Sequence, residues 1–292
     1  MITVRIKGGL GNQLFQYAAA CALAKRLNQS VNMDISFYPE QSLRSFKLTK
    51  LKIDETALTD KLPKLFHLMN NNKTNYILRK ANFQIIRYSN GYYCNETKSR
   101  VNEWFFDINA NNVYINGYFQ SEEYFKNIRE DLLKQFQPNY EFSEEFYKFK
   151  DMITQENSVA VHVRRGDFLK AQHNHNPHHY LLGEEYYKHA LDYMMKNLIN
   201  PQFYWFSDDI DWVKNTFGKQ DNFHFVSMNS ENPDIDEMML MKYCNHIIAA
   251  NSTFSWWAAW LNENPDVIVT VPGKRYGNEK MIPERWKKIA VE

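Results

Sequence analysis

Four short stretches of this chain carry residues whose types and spacing could do chemistry. In His162-Val163-Arg164-Arg165-Gly166-Asp167, two adjacent arginines followed by glycine make a planar cationic fork suited to a diphosphate. Alternation along a strand puts His162 and Arg164 on one face and Val163 on the other. Read as surface decoration, the same stretch holds only an Arg165–Asp167 ion pair, contributing about 0–1 kcal/mol. Gly8-Gly9-Leu10-Gly11-Asn12-Gln13 is a glycine loop at a helix start, where backbone N–H groups welcome an anion. In Phe206-Ser207-Asp208-Asp209, Asp209 can cap a helix, which leaves Asp208 without a structural role. Asn251-Ser252-Thr253-Phe254-Ser255 has more hydroxyls than a cap needs and reads as a second phosphate cradle.

Other patterns compete with these. Gly9 and Gly11 after a strand, with Asp34 further on, invite a dinucleotide reading, but Leu14 stands where the third glycine belongs. Asp209-Ile210-Asp211 and Asp234-Ile235-Asp236 match a divalent-cation signature, yet each adjoins a helix start, where acids favour the dipole regardless. Paired arginines would make such a metal redundant, so no metal site and no cofactor are expected. His173, His175, His178 and His179 have no accompanying Cys and no regular spacing, which reads as a surface loop rather than a zinc site.

The elements that must position these residues follow from periodicity. β-branched alternation predicts strands over 2–7, 30–35 and 113–119, with helices over 12–27 and 121–136. The polar, Asn-rich stretch 36–112 predicts short helical pieces with a loop at 70–72. Past the breaker Gln137-Pro138-Asn139, strands over 158–163, 203–207, 223–226, 247–250 and 267–271 alternate with helices near 184–198, 209–217, 234–243 and 254–263. Such alternation makes parallel sheets covered by helices. In these sheets ligands bind beyond the carboxyl ends of the strands, and all four stretches fall there. The simplest architecture is α/β, two Rossmann-like halves with parallel sheets facing a cleft: an N-terminal domain over 1–140 and a C-terminal domain over 141–292.

Composition excludes several classes. With 35 Lys and Arg against 34 Asp and Glu, the net charge is +1, which offers no field for nucleic acid. Three cysteines among 292 residues are too few for a disulfide framework and point to a reducing compartment. The start of the chain lacks a signal-peptide pattern, and the longest uncharged run, 243–262, is too polar to span a bilayer. A cytoplasmic protein is expected, either free or peripheral at the inner membrane face. The 45 aromatic residues, 15% of the chain, are mostly core, Trp256 and Trp257 included.

Together, residues 8–18, 161–167 and 247–261 resemble the bacterial α-1,2-fucosyltransferases of glycosyltransferase family 11 in sequence, order and spacing. The resemblance implies a GT-B-like fold and a metal-independent, inverting transfer of L-fucose from GDP-β-L-fucose to the 2-hydroxyl of a galactose residue. That chemistry suits surface polysaccharide synthesis, with a galactose-containing glycan as acceptor. It implies an acceptor side in the domain 1–140, which carries the Gly-Asn-Gln loop, and a GDP-fucose side in the domain 141–292. Arg164 and Asn12 would stand at the leaving diphosphate, with Gly11, Arg165, Ser252, Thr253 and Ser255 supporting it. His162 would lie toward the nucleoside, and Asp208 and Asp209 would anchor donor or arginines. Asp167 is either the base for the acceptor hydroxyl or the partner of Arg165. The family tends to place Asp where Glu237 stands, so Asp236 or Glu237 would read the guanine. An NAD(P)-dependent oxidoreductase and a non-catalytic sugar-binding protein are the competing classes.

Overall fold

The computed structural model describes the chain except residues 41–43, 55–56, 61–63, 82, 89, 97–100, 167, 170–179, 274–280 and 292. For residues 40, 57, 64, 65, 67, 72, 75 and 79 only the backbone is described. The chain divides into two compact units: Met1–Tyr140 with Gly277–Pro283, and Glu141–Tyr276 with Glu284–Glu292.

The first unit is built on strands β1 (Ile2–Arg5), β2 (Val31–Asp34), β3 (Ala57–Thr59), β4 (Ile85–Tyr88), β5 (Gly91–Asn95) and β6 (Val113–Asn116). Their order is β3-β2-β1-β6-β5-β4, parallel throughout except for the antiparallel hairpin β4–β5. Its helices are α1 (Leu10–Leu27), α2 (Lys64–Asn70), α3 (Asn72–Lys80), α4 (Trp104–Asp107) and α5 (Arg129–Gln135). The alanine-rich α1 starts two residues before the expected Asn12. It ends at Asn28, a left-handed cap (φ 50°), with Lys25 and Arg26 favouring the dipole in its last turn.

Two expectations in this unit are corrected. The helix expected over 121–136 is instead two single 3-10 turns, Glu122–Tyr124 and Lys126–Ile128, followed by α5. Phe125 leaves helical geometry (φ −145°, ψ 5°), which lets Tyr124 and Phe125 both enter the core. The stretch 36–112 also holds three strands, β3, β4 and β5. In the β4–β5 hairpin Tyr88 stands opposite Gly91. A side chain at Gly91 would collide with the Asn112 carbonyl.

The second unit contains strands β7 (Ser158–Val163), β8 (Gln202–Ser207), β9 (Phe223–Val226), β10 (His246–Ile248), β11 (Val269–Pro272) and β12 (Lys287–Ile289). All are parallel, in the order β12-β11-β10-β7-β8-β9. Helices α6 (Glu144–Gln155), α7 (Glu184–Asn197), α8 (Ile210–Phe217), α9 (Pro233–Tyr243) and α10 (Thr253–Leu261) complete it. Val159, Val161 and Val163 alternate onto one face of β7 and pack against Tyr186, Tyr187, Ala190 and Met194 of α7. Trp256, Trp257 and Trp260 are buried on α10, and Trp256 meets Trp286 at 5.4 Å. Ring pairs of this kind add about 0.5–1.5 kcal/mol beyond the area they bury.

Both units are thus Rossmann-like parallel α/β sheets of the kind expected. The strand order reverses at β1 in the first and at β7 in the second. The switch points lie between β1 and β6, and between β7 and β10, and ligands are received at their carboxyl ends. No helix among the described residues is long and apolar enough to cross a membrane.

Candidate active site

In the second unit, β7 delivers Arg164 and Arg165 at its carboxyl end and the parallel neighbour β8 delivers Asp208 and Asp209 at the same height. Each aspartate takes one arginine. Arg164 Nη1 lies 2.8 Å from Asp208 Oδ2, and Arg165 Nε lies 3.1 Å from Asp209 Oδ2. Asp208 also receives the backbone N–H of Arg165 at 2.8 Å and of Gly166 at 3.1 Å. A side chain at Gly166 would come within 2.6 Å of Asp208 Oδ2, so glycine is what allows the carboxylate this close. Asp209 caps α8 by accepting from Trp212 N at 3.3 Å. The Arg165 guanidinium lies 3.8 Å from the Trp212 ring centre, a cation–π contact. Arg165 is therefore fixed from two sides, while Arg164 is the more exposed of the pair.

Behind the arginines, His162 is buried beside Phe254, their ring centres 5.3 Å apart. Burial, reinforced by Arg164, pushes its pKa down to about 3, so the ring is neutral at physiological pH. His162 Nδ1 is buried without a hydrogen-bond partner among the described residues.

The loop after β10 reaches the same end of the sheet. Ser252 caps α10, accepting from Phe254 N at 3.2 Å, and Ser252 and Thr253 are partly exposed. Ser255 corrects an expectation. It is wholly buried and its hydroxyl points back toward the Ser252 carbonyl at 3.5 Å, so of the hydroxyl run only Ser252 and Thr253 reach the surface.

On α9 the two candidate acids separate. Asp236 is buried and accepts from Ser230 Oγ at 2.5 Å. Glu237 is partly exposed and accepts from Met228 N at 3.3 Å. Burial, then Asp234, Asp208 and Asp236, raise its carboxyl to about 7. Met228 lies two residues past β9, so its N–H bond holds Glu237 at the carboxyl end of that strand. Asp167, the candidate base, and the histidine loop 173–179 lie outside the described residues.

In the first unit, Gly8 adopts φ 84° and Gly9 caps α1 in extended geometry. Gly11 is buried inside the first turn, and Asn12 Oδ1 accepts from Gln120 Nε2 at 2.8 Å. Gln13, buried, binds the carbonyls of Gly8 and Ser45 and accepts from Lys47 N, so it holds the loop rather than a ligand. Asp34 disposes of the dinucleotide reading. It is wholly buried, with one oxygen accepting from Tyr114 Oη and the other from Ser36 N, leaving no carboxylate for a ribose.

Neither Asp-x-Asp converges on a cation: Asp209 is spent on Arg165 and Trp212, and Asp211 is 88% exposed. Among the described residues no three His, Cys, Asp or Glu side chains gather around one point. Residues singled out by the structure and not by the sequence are Lys7, Asn95, Asn116 and Tyr118, at the carboxyl ends of β1, β5 and β6. The signal available in the sequence was position alone.

The sequence profile of glycosyl transferase family 11 matches residues 1–289. An α-1,2-colitosyltransferase of Escherichia coli is 32% identical, with 99% of each chain covered. A galactoside 2-α-L-fucosyltransferase of Bos taurus is 26% identical over 94% of this chain and 69% of its own. Among solved structures, the α-1,6-fucosyltransferase NodZ, in crystals soaked with GDP-fucose, superimposes with a TM-score of 0.50 at 16% identity, covering 92% and 94% of the two chains. At that identity the likeness is one of fold.

Proposed function

The chain belongs to glycosyl transferase family 11, and on that premise we propose that it moves L-fucose from GDP-β-L-fucose to the 2-hydroxyl of a galactose residue in a glycan. The observation that carries the reading is the pair of consecutive arginines held by consecutive aspartates at the carboxyl end of β7, beside a switch point.

In such a transfer the acceptor oxygen attacks the anomeric carbon while the bond to the β-phosphate oxygen breaks, inverting the linkage from β to α. Negative charge grows on the departing GDP. Preorganised cations and N–H donors aimed at that charge are usually the largest catalytic term. Arg164 would meet the diphosphate, with Arg165 fixed behind it. Ser252, Thr253 and the α10 N-terminus would supply further donors, and Asn12 and the Gly11 backbone would contribute from the first unit. His162, held neutral, would sit toward the nucleoside, and Asp208 and Asp209 would hold the arginines in place. Of the two acids, Glu237 would read the guanine edge; its partial exposure, against Asp236 buried on Ser230, supports that choice. Asp167 would take the acceptor proton. No metal or cofactor enters this scheme.

A nucleotide thermal-shift screen followed by a transfer assay tests the reading. GDP, and not UDP, ADP or NAD(P)H, should raise the melting midpoint. GDP-fucose and lactose should then give an α-1,2-linked trisaccharide. Stabilisation by NAD(P)H alone, or GDP binding without transfer to any sugar, overturns it. A colitosyl donor is the second reading, favoured by the 32% identical α-1,2-colitosyltransferase, so the assay is run with both donors.

A further inference from the structure

From Lys61 to Asn95 the chain carries six basic residues, Lys61, Lys64, Lys73, Arg79, Lys80 and Arg87, and neither Asp nor Glu. Taking these six from the 35 Lys and Arg leaves 29 against 34 Asp and Glu elsewhere. A protein of net charge +1 thus gathers its positive surplus in one stretch. A charge asymmetry of this kind points outward, to an anionic partner.

The same stretch leaves apolar side chains outside the core. α2 packs Phe66 and Met69 with Tyr93 and Tyr114 but leaves Leu68 exposed. On α3, Lys73, Tyr76, Ile77 and Lys80 recur at three- and four-residue spacing and form one stripe. All four are exposed, while Thr74 and Leu78 on the other side are partly buried. An ordinary surface helix would turn its tyrosine and isoleucine inward. Phe83 donates its N–H to the Leu78 carbonyl at 2.9 Å, so the end of α3 runs directly into β4. There Ile86 and Tyr88 pack around Phe66, and Phe83, Ile85 and Arg87 alternate onto the outer side. β4 is the edge strand of its sheet, paired only with β5. Leu68, Tyr76, Ile77, Phe83 and Ile85 are 42–65% exposed.

Charge and exposed apolar surface coincide here, and the coincidence selects the partner. Nucleic acid would answer the cations and leave Ile77, Phe83 and Ile85 in water. A second copy of this chain, docked by two-fold symmetry, would set the positive stretch against itself. An anionic bilayer answers both. Headgroup phosphates meet the lysines, the boundary with the acyl chains takes up the apolar side chains, and tyrosine suits that boundary because its ring is apolar and its hydroxyl stays wet. We propose that α2, α3 and β4 dock the protein on an anionic lipid surface, with Tyr76, Ile77 and Phe83 entering the headgroup layer and Lys73, Lys80 and Arg87 resting on phosphates. The acidic surplus of the rest of the chain repels the same surface, so the contact is oriented as well as reversible.

Co-sedimentation of the full chain with vesicles tests it. Vesicles of phosphatidylcholine mixed equally with phosphatidylglycerol should carry the protein down, and vesicles of phosphatidylcholine alone should not. Raising NaCl from about 0.1 M to about 0.5 M should weaken the binding about fivefold or more. Tyr76→Ser combined with Ile77→Ser should lower the partition coefficient about tenfold or more. Lys73→Glu combined with Lys80→Glu should do the same and remove most of the salt dependence. All four side chains are exposed, so melting midpoints should stay within about 2 °C of wild type. Should one double variant fail to fold, the other decides. No binding of wild type to the anionic vesicles, or equal binding to phosphatidylcholine alone, overturns the proposal. Full binding by the Tyr76→Ser, Ile77→Ser variant also overturns it, since charge alone would then hold the protein. A dimer in light scattering that this variant dissolves, without vesicle binding, would give the surface to a second copy instead.

Discussion

Asp208 binds Arg164 and the backbone that follows it with one carboxylate: Oδ2 lies 2.8 Å from Arg164 Nη1, while Arg165 N and Gly166 N reach its two oxygens at 2.8 and 3.1 Å. Two parallel strands ending at the same level make this possible. A charge at the end of β8 thereby sets both the direction of the Arg164 side chain and the shape of the turn after β7.

Asp208→Asn should therefore cost more than a surface ion pair. The amide would turn an NH2 group toward one of its three donors and lose the charge that strengthens the others. Hydrogen bonds to charged groups contribute about 1.5–3 kcal/mol, which corresponds to a fall in kcat/KM of about ten- to a hundredfold. Steady-state kinetics check it, and a variant within twofold of wild type would mean Arg164 is positioned without Asp208.

Arg164→Ala should lower kcat by a factor on the order of 10² or more, the cost of removing one transition-state donor. Arg164→Lys keeps the charge without the planar fork and should recover only part of that. GDP should still bind the Ala variant, more weakly, in calorimetric titration. A raised KM with unchanged kcat would assign Arg164 to uniform binding and shift the catalytic role to Arg165.

Glu237 should give GDP binding a pH dependence. Its carboxyl, raised by burial to about 7, must ionise to accept from the guanine ring N–H and amino group, so affinity should strengthen as pH rises through about 7. Stability moves the other way. Between the unfolded value near 4.5 and about 7 the folded state holds the extra proton, so this group's contribution falls as pH rises through that window. Glu237→Gln should flatten both profiles. If Glu237→Ala and Asp236→Ala each leave GDP affinity unchanged, guanine is read elsewhere.

Gly8→Ala should lower the melting midpoint by about 2–8 °C, since a left-handed φ of 84° costs an L-residue roughly 1–2 kcal/mol. The new methyl would also lie 2.8 Å from Asn12 Nδ2, disturbing the Asn12–Gln120 hydrogen bond. Transfer activity should fall by more than the unfolded fraction explains. Calorimetry and kinetics on one preparation separate the two effects.

Transfer should survive excess EDTA, because the charge on the leaving diphosphate is met by guanidinium groups. Loss of activity on chelation, restored by Mn²⁺ or Mg²⁺, would return Asp209 or Asp234 to a metal-binding role.

The strand-end logic of the second unit was legible in the sequence because β7, β8 and β10 are short, apolar and followed at once by the candidate site residues, whereas β12, Lys287–Ile289, carries two exposed lysines and was not marked by periodicity. His162 to Gly166, Asp208-Asp209 and Ser252-Thr253 all stand within a few residues of a strand terminus. Periodicity located the strands, and the parallel architecture then placed their ends on one side. In the first unit the stretch 36–112 hid β3, β4 and β5. Two of those strands lie toward a sheet edge and carry polar or exposed residues, so no clean alternation marks them.

Which partner each polar side chain takes could not be read from the chain. Ser255 lies three residues past the Ser252 cap, and only the turn of α10 aims it inward while Ser252 and Thr253 stay partly exposed. Asp236 and Glu237 are adjacent in sequence, and the 100° step along α9 separates a buried carboxylate from an available one. Asp34 sits where a dinucleotide enzyme would use it, but Tyr114, eighty residues away on β6, claims it. Lys7 and Tyr118 are brought together only because β1 and β6 pair in the sheet. Sequence period determines which residues end a strand or face a core. Pairings across tens of residues are set when the sheet closes, because buried donors and acceptors must then satisfy one another.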